Sequence, residues 1–132
     1  MALKDKNKNK SKKKSRNLID SFKYAFEGLF FGLKTIKNIR IHLLFTVIVL
    51  IGGVFFKITK IEWLICLIFI GLVISLELMN TAVEETVNLA MPNIHPVAKV
   101  AKDMAASAVL VSAIAAFIAG VIIFLPKVIG MF

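Results

Sequence analysis

The chain has 132 residues, 58% of them hydrophobic, with 17 Lys and Arg against 8 Asp and Glu, a net charge of +9. One domain at most fits that length, and a soluble body so small cannot bury that much apolar side chain, so the excess faces lipid. A soluble enzyme is excluded, and so is a disulfide scaffold, because Cys66 is the sole cysteine.

Residues 1–40 carry 12 of the 17 basic residues and three acids, Asp5, Asp20 and Glu27. The stretch 1–16 is almost devoid of apolar residues. It cannot offset its ordering entropy, which predicts a disordered basic tail. Basic tracts bind nucleic acid or anionic membranes. No nucleic-acid fold or aromatic platform follows and a membrane protein does, so anionic lipid head groups are the expected partner and nucleic acid is not. The tract lacks the small-residue cleavage pattern of a secretory signal.

The first element, about 18–34, is an amphipathic helix. Leu18, Ile19, Phe22, Ala25, Phe26, Leu29, Phe30 and Leu33 recur at helical spacing, with Asp20, Lys23, Glu27 and Lys34 largely elsewhere on the wheel. This pattern predicts a helix lying in the membrane interface, with Ser15 or Asn17 at its start as a cap. A first span follows over about 38–56, near the lower limit of roughly 17 residues. Lys57–Glu62 is a polar turn, and Trp63 stands where an interfacial aromatic belongs. A second span starts near 62. It is uncharged from Trp63 to Leu76, then continues as a polar-striped helix to about 90. Pro92 and Pro96 break the chain. A third span runs over about 97–125, uncharged from Met104 to Leu125, with Pro126-Lys127 as its stop. Residues 17–132 then form one membrane domain of all-α class.

The basic N-terminal side is expected in the cytoplasm, which places the C-terminus on the outer side of the membrane. Three thin helices close poorly on themselves. The third is rich in Ala, Ser and Gly, residues that let helices approach in lipid, so an oligomer is expected.

Glu77, Asn80, Glu84 and Asn88 are spaced i, i+3, i+7, i+11, one stripe of a helix. Lys102 and Asp103 open the third helix at a similar depth. A charged side chain costs roughly 2–3.5 kcal/mol at a span's centre and less near its end, so such groups mark function by default. Glu85 reads as a solvated neighbour. Carboxylates with an amide suit Mg²⁺, which prefers oxygen ligands shared with phosphates. They would equally suit a small proton-coupled transporter, and spacing alone does not choose. No glycine-rich phosphate loop and no protein-kinase motif is present.

Glu77-Leu-Met-Asn80-Thr-Ala-Val-Glu84 resembles the Glu-x-x-Asn-[Ser/Thr]-Ala-[Ile/Val]-Glu signature of the small prokaryotic diacylglycerol kinases. Ala98-Lys-Val-Ala-Lys102-Asp103-Met-Ala-Ala-Ser-Ala-Val is similar to the family's second signature. Asn38-Ile-Arg-Ile-His42, Ile61-Glu-Trp63, His95-Pro96 and Phe124-Leu-Pro-Lys127 resemble its Gram-positive branch, chiefly undecaprenol kinases. The resemblance runs from about Leu18 to Lys127. It implies a homotrimer of three-span subunits, each with an amphipathic surface helix. It also implies transfer of the ATP γ-phosphoryl group to a lipid hydroxyl with Mg²⁺, undecaprenol first and diacylglycerol second.

By position, the resemblance implies Glu77 as catalytic carboxylate, supported by Asn80. It makes Glu84 a metal ligand, and Tyr24, Glu84, His95, Lys102 and Asp103 nucleotide contacts. Asn38, Arg40, His42, Trp63 and Glu77 fall at the lipid substrate. One departure stands out. The family's second metal-ligand position holds Ile36, in Ile36-Lys37-Asn38, and Ile36 cannot bind a metal. Either phosphates and water complete the metal shell, or the protein is a weakened member that binds a polyprenyl lipid.

Overall fold

The computed structural model describes residues 17–132. The basic tail expected over 1–16, and Ser15 as a cap, lie outside them. Four helices follow in order: α1 Leu18–Thr35, α2 Lys37–Phe55, α3 Lys60–Ala90 and α4 Pro96–Ile129. Among the described residues every regular element is helical. The last three helices are each long and apolar enough to cross a membrane. Two compact units divide the chain, the first ending at Phe31 and the second being Gly32–Phe132. In the first, α1 carries Asp20 in its opening turn, where an acid complements the helix dipole.

In the second unit, α3 packs along α4 and α2 leans on α3 over a shorter stretch. Burial is sparse. Ile39 is fully enclosed, and Ile58, Cys66 and Ile123 form a small core with Val49, Phe56, Trp63, Ile65 and Phe124 around it. Val54 is 71% exposed and Phe117 72%. Apolar side chains bared to that degree along all three spans fit an integral membrane protein, whose solvent is hydrocarbon.

The turn between α2 and α3 is built by local rules. Ile58 N–H donates to Gly53 O (3.1 Å) and Lys57 N–H to Val54 O (3.2 Å), the paired bonds of a Schellman cap. That cap requires a left-handed residue, and Lys57 takes it at φ 50°, at a cost of roughly 1 kcal/mol that glycine would avoid. The apolar contact that accompanies such caps runs from Ile58 to Gly53. A Cβ on Gly53 would lie 3.1 Å from Ile58 Cδ1 and 2.7 Å from Trp63 Cη2. Thr59 then caps α3 in a capping box. Its hydroxyl accepts from Glu62 N–H (3.2 Å), and its own N–H donates to Glu62 Oε2 (2.7 Å). The other carboxylate oxygen of Glu62 accepts from Lys127 Nζ at 2.6 Å. One side chain thereby caps α3 and ties its start to the end of α4.

Lys127 can make that bond because α4 does not stop at Leu125 as expected. It passes through Pro126 and ends at Ile129. Proline forfeits one backbone donor, but so near the helix end the loss is confined to one bond. The ladder resumes with Gly130 N–H to Pro126 O. At the opposite end, Pro96 occupies the first turn of α4, where its missing donor costs nothing. His95 caps that turn, its Nδ1 accepting from Val97 N–H at 3.2 Å.

Candidate active site

The polar stripe of α3 continues the helix face that buries Cys66 and Val73. At 100° per residue, Glu77, Asn80, Glu84 and Asn88 fall within about 40° of that face. The same face floors an apolar groove of about 730 Å³ between α2 and α4. His42, Phe45, Val73, Ile74, Ala116 and Gly120 are among its walls. Glu77 stands one turn beyond Val73, just past the α3 residues that line the groove.

Glu77 is 2% exposed. Among the described residues its carboxylate makes no ion pair and no hydrogen bond; only its backbone oxygen is engaged, accepting from Thr81 Oγ1. One turn on, Asn80 Oδ1 is enclosed and also lacks a donor among them. A buried polar atom left unsatisfied costs roughly 1–3 kcal/mol, so the enclosed Asn80 Oδ1 beside a largely buried carboxylate is the mark of a site rather than of a core. Glu84, a turn further, is exposed. Two carboxylates and an orphaned amide oxygen match the donor type that Mg²⁺ takes. No group of three or more His, Cys, Asp or Glu side chains converges among the described residues. The donors fit the metal in kind but leave most of its shell to water or phosphate, as is common for Mg²⁺.

Across the α3–α4 hairpin, Lys102 Nζ donates to Asn88 Oδ1, which brings the start of α4 to the stripe. Asp103 pairs instead with Lys99, one turn back on its own helix, and Ser107 Oγ donates to the Asp103 carbonyl at 2.7 Å. The sequence pattern placed Lys102 and Asp103 together but gave no sign of these separate partners. His95 is exposed, with Nδ1 engaged as the α4 cap. Tyr24 lies on α1 in the first unit, half exposed.

Position 36 is apolar in fact as well as in sequence. A Cβ on Gly32 would meet Leu78 Cδ2 in overlap and Ile36 Cδ1 at 3.4 Å, so Ile36 packs beside Gly32, which itself lies against Leu78, the residue after Glu77. At the start of α2, Asn38 and Arg40 are exposed, and Arg40 donates to Lys34 O at 3.1 Å. His42 lines the groove. Trp63 is not brought to Glu77. It sits 14 positions away on the same helix, roughly 21 Å along the axis, with its ring over Gly53. Its packing role needed the turn geometry, which no local pattern carries.

Comparison with known proteins matches this sequence to a family. The sequence model for prokaryotic diacylglycerol kinase covers residues 23–124. The undecaprenol kinase of Bacillus subtilis is 45% identical over 107 residues, 81% of this chain and 87% of that protein. A diacylglycerol kinase of Synechocystis sp. is 39% identical over 116 residues, 87% of this chain and 66% of that protein, just under two thirds of its length. A diacylglycerol kinase of Haemophilus influenzae is 35% identical over 97 residues, 73% of this chain and 81% of that protein. The chain belongs to the prokaryotic diacylglycerol kinase family, with an undecaprenol kinase-like sequence, and is a lipid kinase of a bacterial membrane.

Proposed function

We propose that this lipid kinase uses ATP and Mg²⁺ to phosphorylate undecaprenol, giving undecaprenyl phosphate, with diacylglycerol as the alternative acceptor. The observation that carries this reading is the largely buried carboxylate of Glu77, without a partner among the described residues, one turn beyond the α3 wall of an apolar groove. The polyprenyl tail lies in lipid and along the groove, and its hydroxyl reaches Glu77. That hydroxyl oxygen bonds to the γ-phosphorus as the bond to the β–γ bridging oxygen breaks and ADP leaves. Glu77 takes the hydroxyl proton. Asn80, one turn on, supports that site. Lys102 and Asp103 contact the nucleotide, with His95 beside it, and the resemblance gives Tyr24 of α1 the same ligand. Glu84, with phosphate and water, would hold Mg²⁺, which neutralises phosphate charge when bound. Little covalent chemistry is asked of the protein, because phosphoryl transfer depends chiefly on positioning and electrostatics.

The same proposal takes residues 17–132 as the kinase domain and α1 as an interfacial amphipathic helix. It places the N-terminus in the cytoplasm, the C-terminus outside and the basic tail on anionic head groups. Three copies assemble, so that a neighbour's helices complete each site. Asn38 and Arg40 meet the lipid head group, and His42 the start of the chain.

The apolar packing of Ile36 favours a second reading, a family member with weakened metal binding that holds its lipid and transfers slowly. Glu77→Gln tests the leading one. A proton acceptor contributes roughly 10²–10⁴-fold, so the folded variant should lose transfer by that factor. Retention of more than half the rate would remove Glu77 from the chemistry.

A further inference from the structure

Asn88 has no part in the assignments above, yet it is the residue that α3 extends to the start of α4. Its amide oxygen accepts from Lys102 Nζ across the hairpin. Neither of the two ion pairs among the described residues includes Lys102; Asp103, its neighbour, is taken by Lys99. Lys102 is thereby held by a neutral acceptor and keeps its whole charge. Position matters as much. Asn88 and Glu84 are i and i+4 on the stripe, about 5–6 Å apart at Cβ, so the tether keeps the Lys102 ammonium within a turn of Glu84.

We propose that Asn88 is a positioning residue for nucleotide binding, fixing the Lys102 ammonium beside Glu84 without neutralising it; this rests on the reading of Lys102 as a nucleotide contact. A lysine head on four rotatable bonds samples many rotamers, and ordering it is a cost that binding must otherwise meet. The amide meets part of that cost before ATP arrives. A carboxylate at 88 would hold the ammonium too, but would also cancel the charge that the phosphates need.

The experiment is a double-mutant cycle on the full-length protein in lipid nanodiscs, titrating ATP-Mg²⁺ at saturating undecaprenol. Asn88 is exposed and alanine is the better helix former, so Asn88→Ala should fold with an undiminished thermal midpoint; Asn88→Leu repeats the test without an acceptor. Each should raise KM for ATP by about three- to tenfold, the worth of one such hydrogen bond, with a smaller change in kcat. In the Lys102→Met background, Asn88→Ala should raise KM no further, because the two residues act as a unit. An equal KM rise in both backgrounds would overturn the proposal, as would wild-type KM in both Asn88 variants. If Lys102→Met itself leaves KM for ATP unchanged, the proposal falls together with the nucleotide role of Lys102.

Discussion

Replacing Glu77 with leucine should make the protein more stable and inactive at once. The side chain is 2% exposed and its carboxylate has no partner among the described residues, so the fold carries a largely desolvated polar group, a cost of up to about 1–3 kcal/mol. Leucine fills a similar volume without that cost, and Val73, a turn earlier on the same face, shows that an apolar residue is accommodated there. The expected gain is about 1–3 kcal/mol, set by the penalty removed. Transfer should fall by the full factor of about 10²–10⁴ expected for a lost proton acceptor. The assay is thermal unfolding in nanodiscs beside the initial rate of γ-phosphoryl transfer, for Glu77→Leu and Glu77→Gln in parallel. A destabilised leucine variant whose residual rate tracks its folded fraction would refute the reasoning. It would mean that Glu77 is satisfied in the working protein and holds structure.

Gly53→Ala should lower stability by about 1–3 kcal/mol, the usual cost of overpacking, because a Cβ there falls 2.7 Å from the Trp63 ring; an unchanged unfolding midpoint would mean the ring does not rest on Gly53. Ile36→Glu should lower the Mg²⁺ concentration for half-maximal rate by about three- to tenfold, as expected for one added charge-assisted contact. Unchanged Mg²⁺ dependence in an intact assembly would place position 36 away from the metal. Mixing Glu77→Gln subunits with subunits inactivated at Glu84 should restore part of the activity if sites are shared between chains, and no rescue under demonstrated subunit exchange would confine the site to one chain.

The helices were legible because their signals are redundant. Apolar runs of spanning length, a polar turn and two prolines fix three spans whatever the tertiary contacts. The stripe of Glu77, Asn80, Glu84 and Asn88 was legible for the same reason, since helical spacing alone sets its face. Pro126 was misleading. Proline signals a stop, yet one lost donor near the water-facing end is a small deficit against the packing of α4 on α3, and the helix runs on to Ile129. Trp63 was placed at an interface by composition, but only the Schellman cap at Lys57 brings its ring over Gly53. The partners of Lys102 and Asp103 were not legible. Which of Lys99 and Lys102 reaches Asn88 depends on the crossing of α3 and α4, and no local periodicity carries that.

Transfer to a lipid hydroxyl is measured by offering undecaprenol and diacylglycerol side by side to the purified protein in nanodiscs, with ATP labelled in its γ-phosphate and Mg²⁺ present, and separating the lipid products. Label should appear in undecaprenyl phosphate first, with a slower or absent signal in phosphatidic acid, and in neither product with Glu77→Gln. Label confined to phosphatidic acid would contradict the choice of substrate. Hydrolysis of ATP, or no reaction at all, with both lipids bound and the assembly intact would contradict the lipid-kinase account of this site.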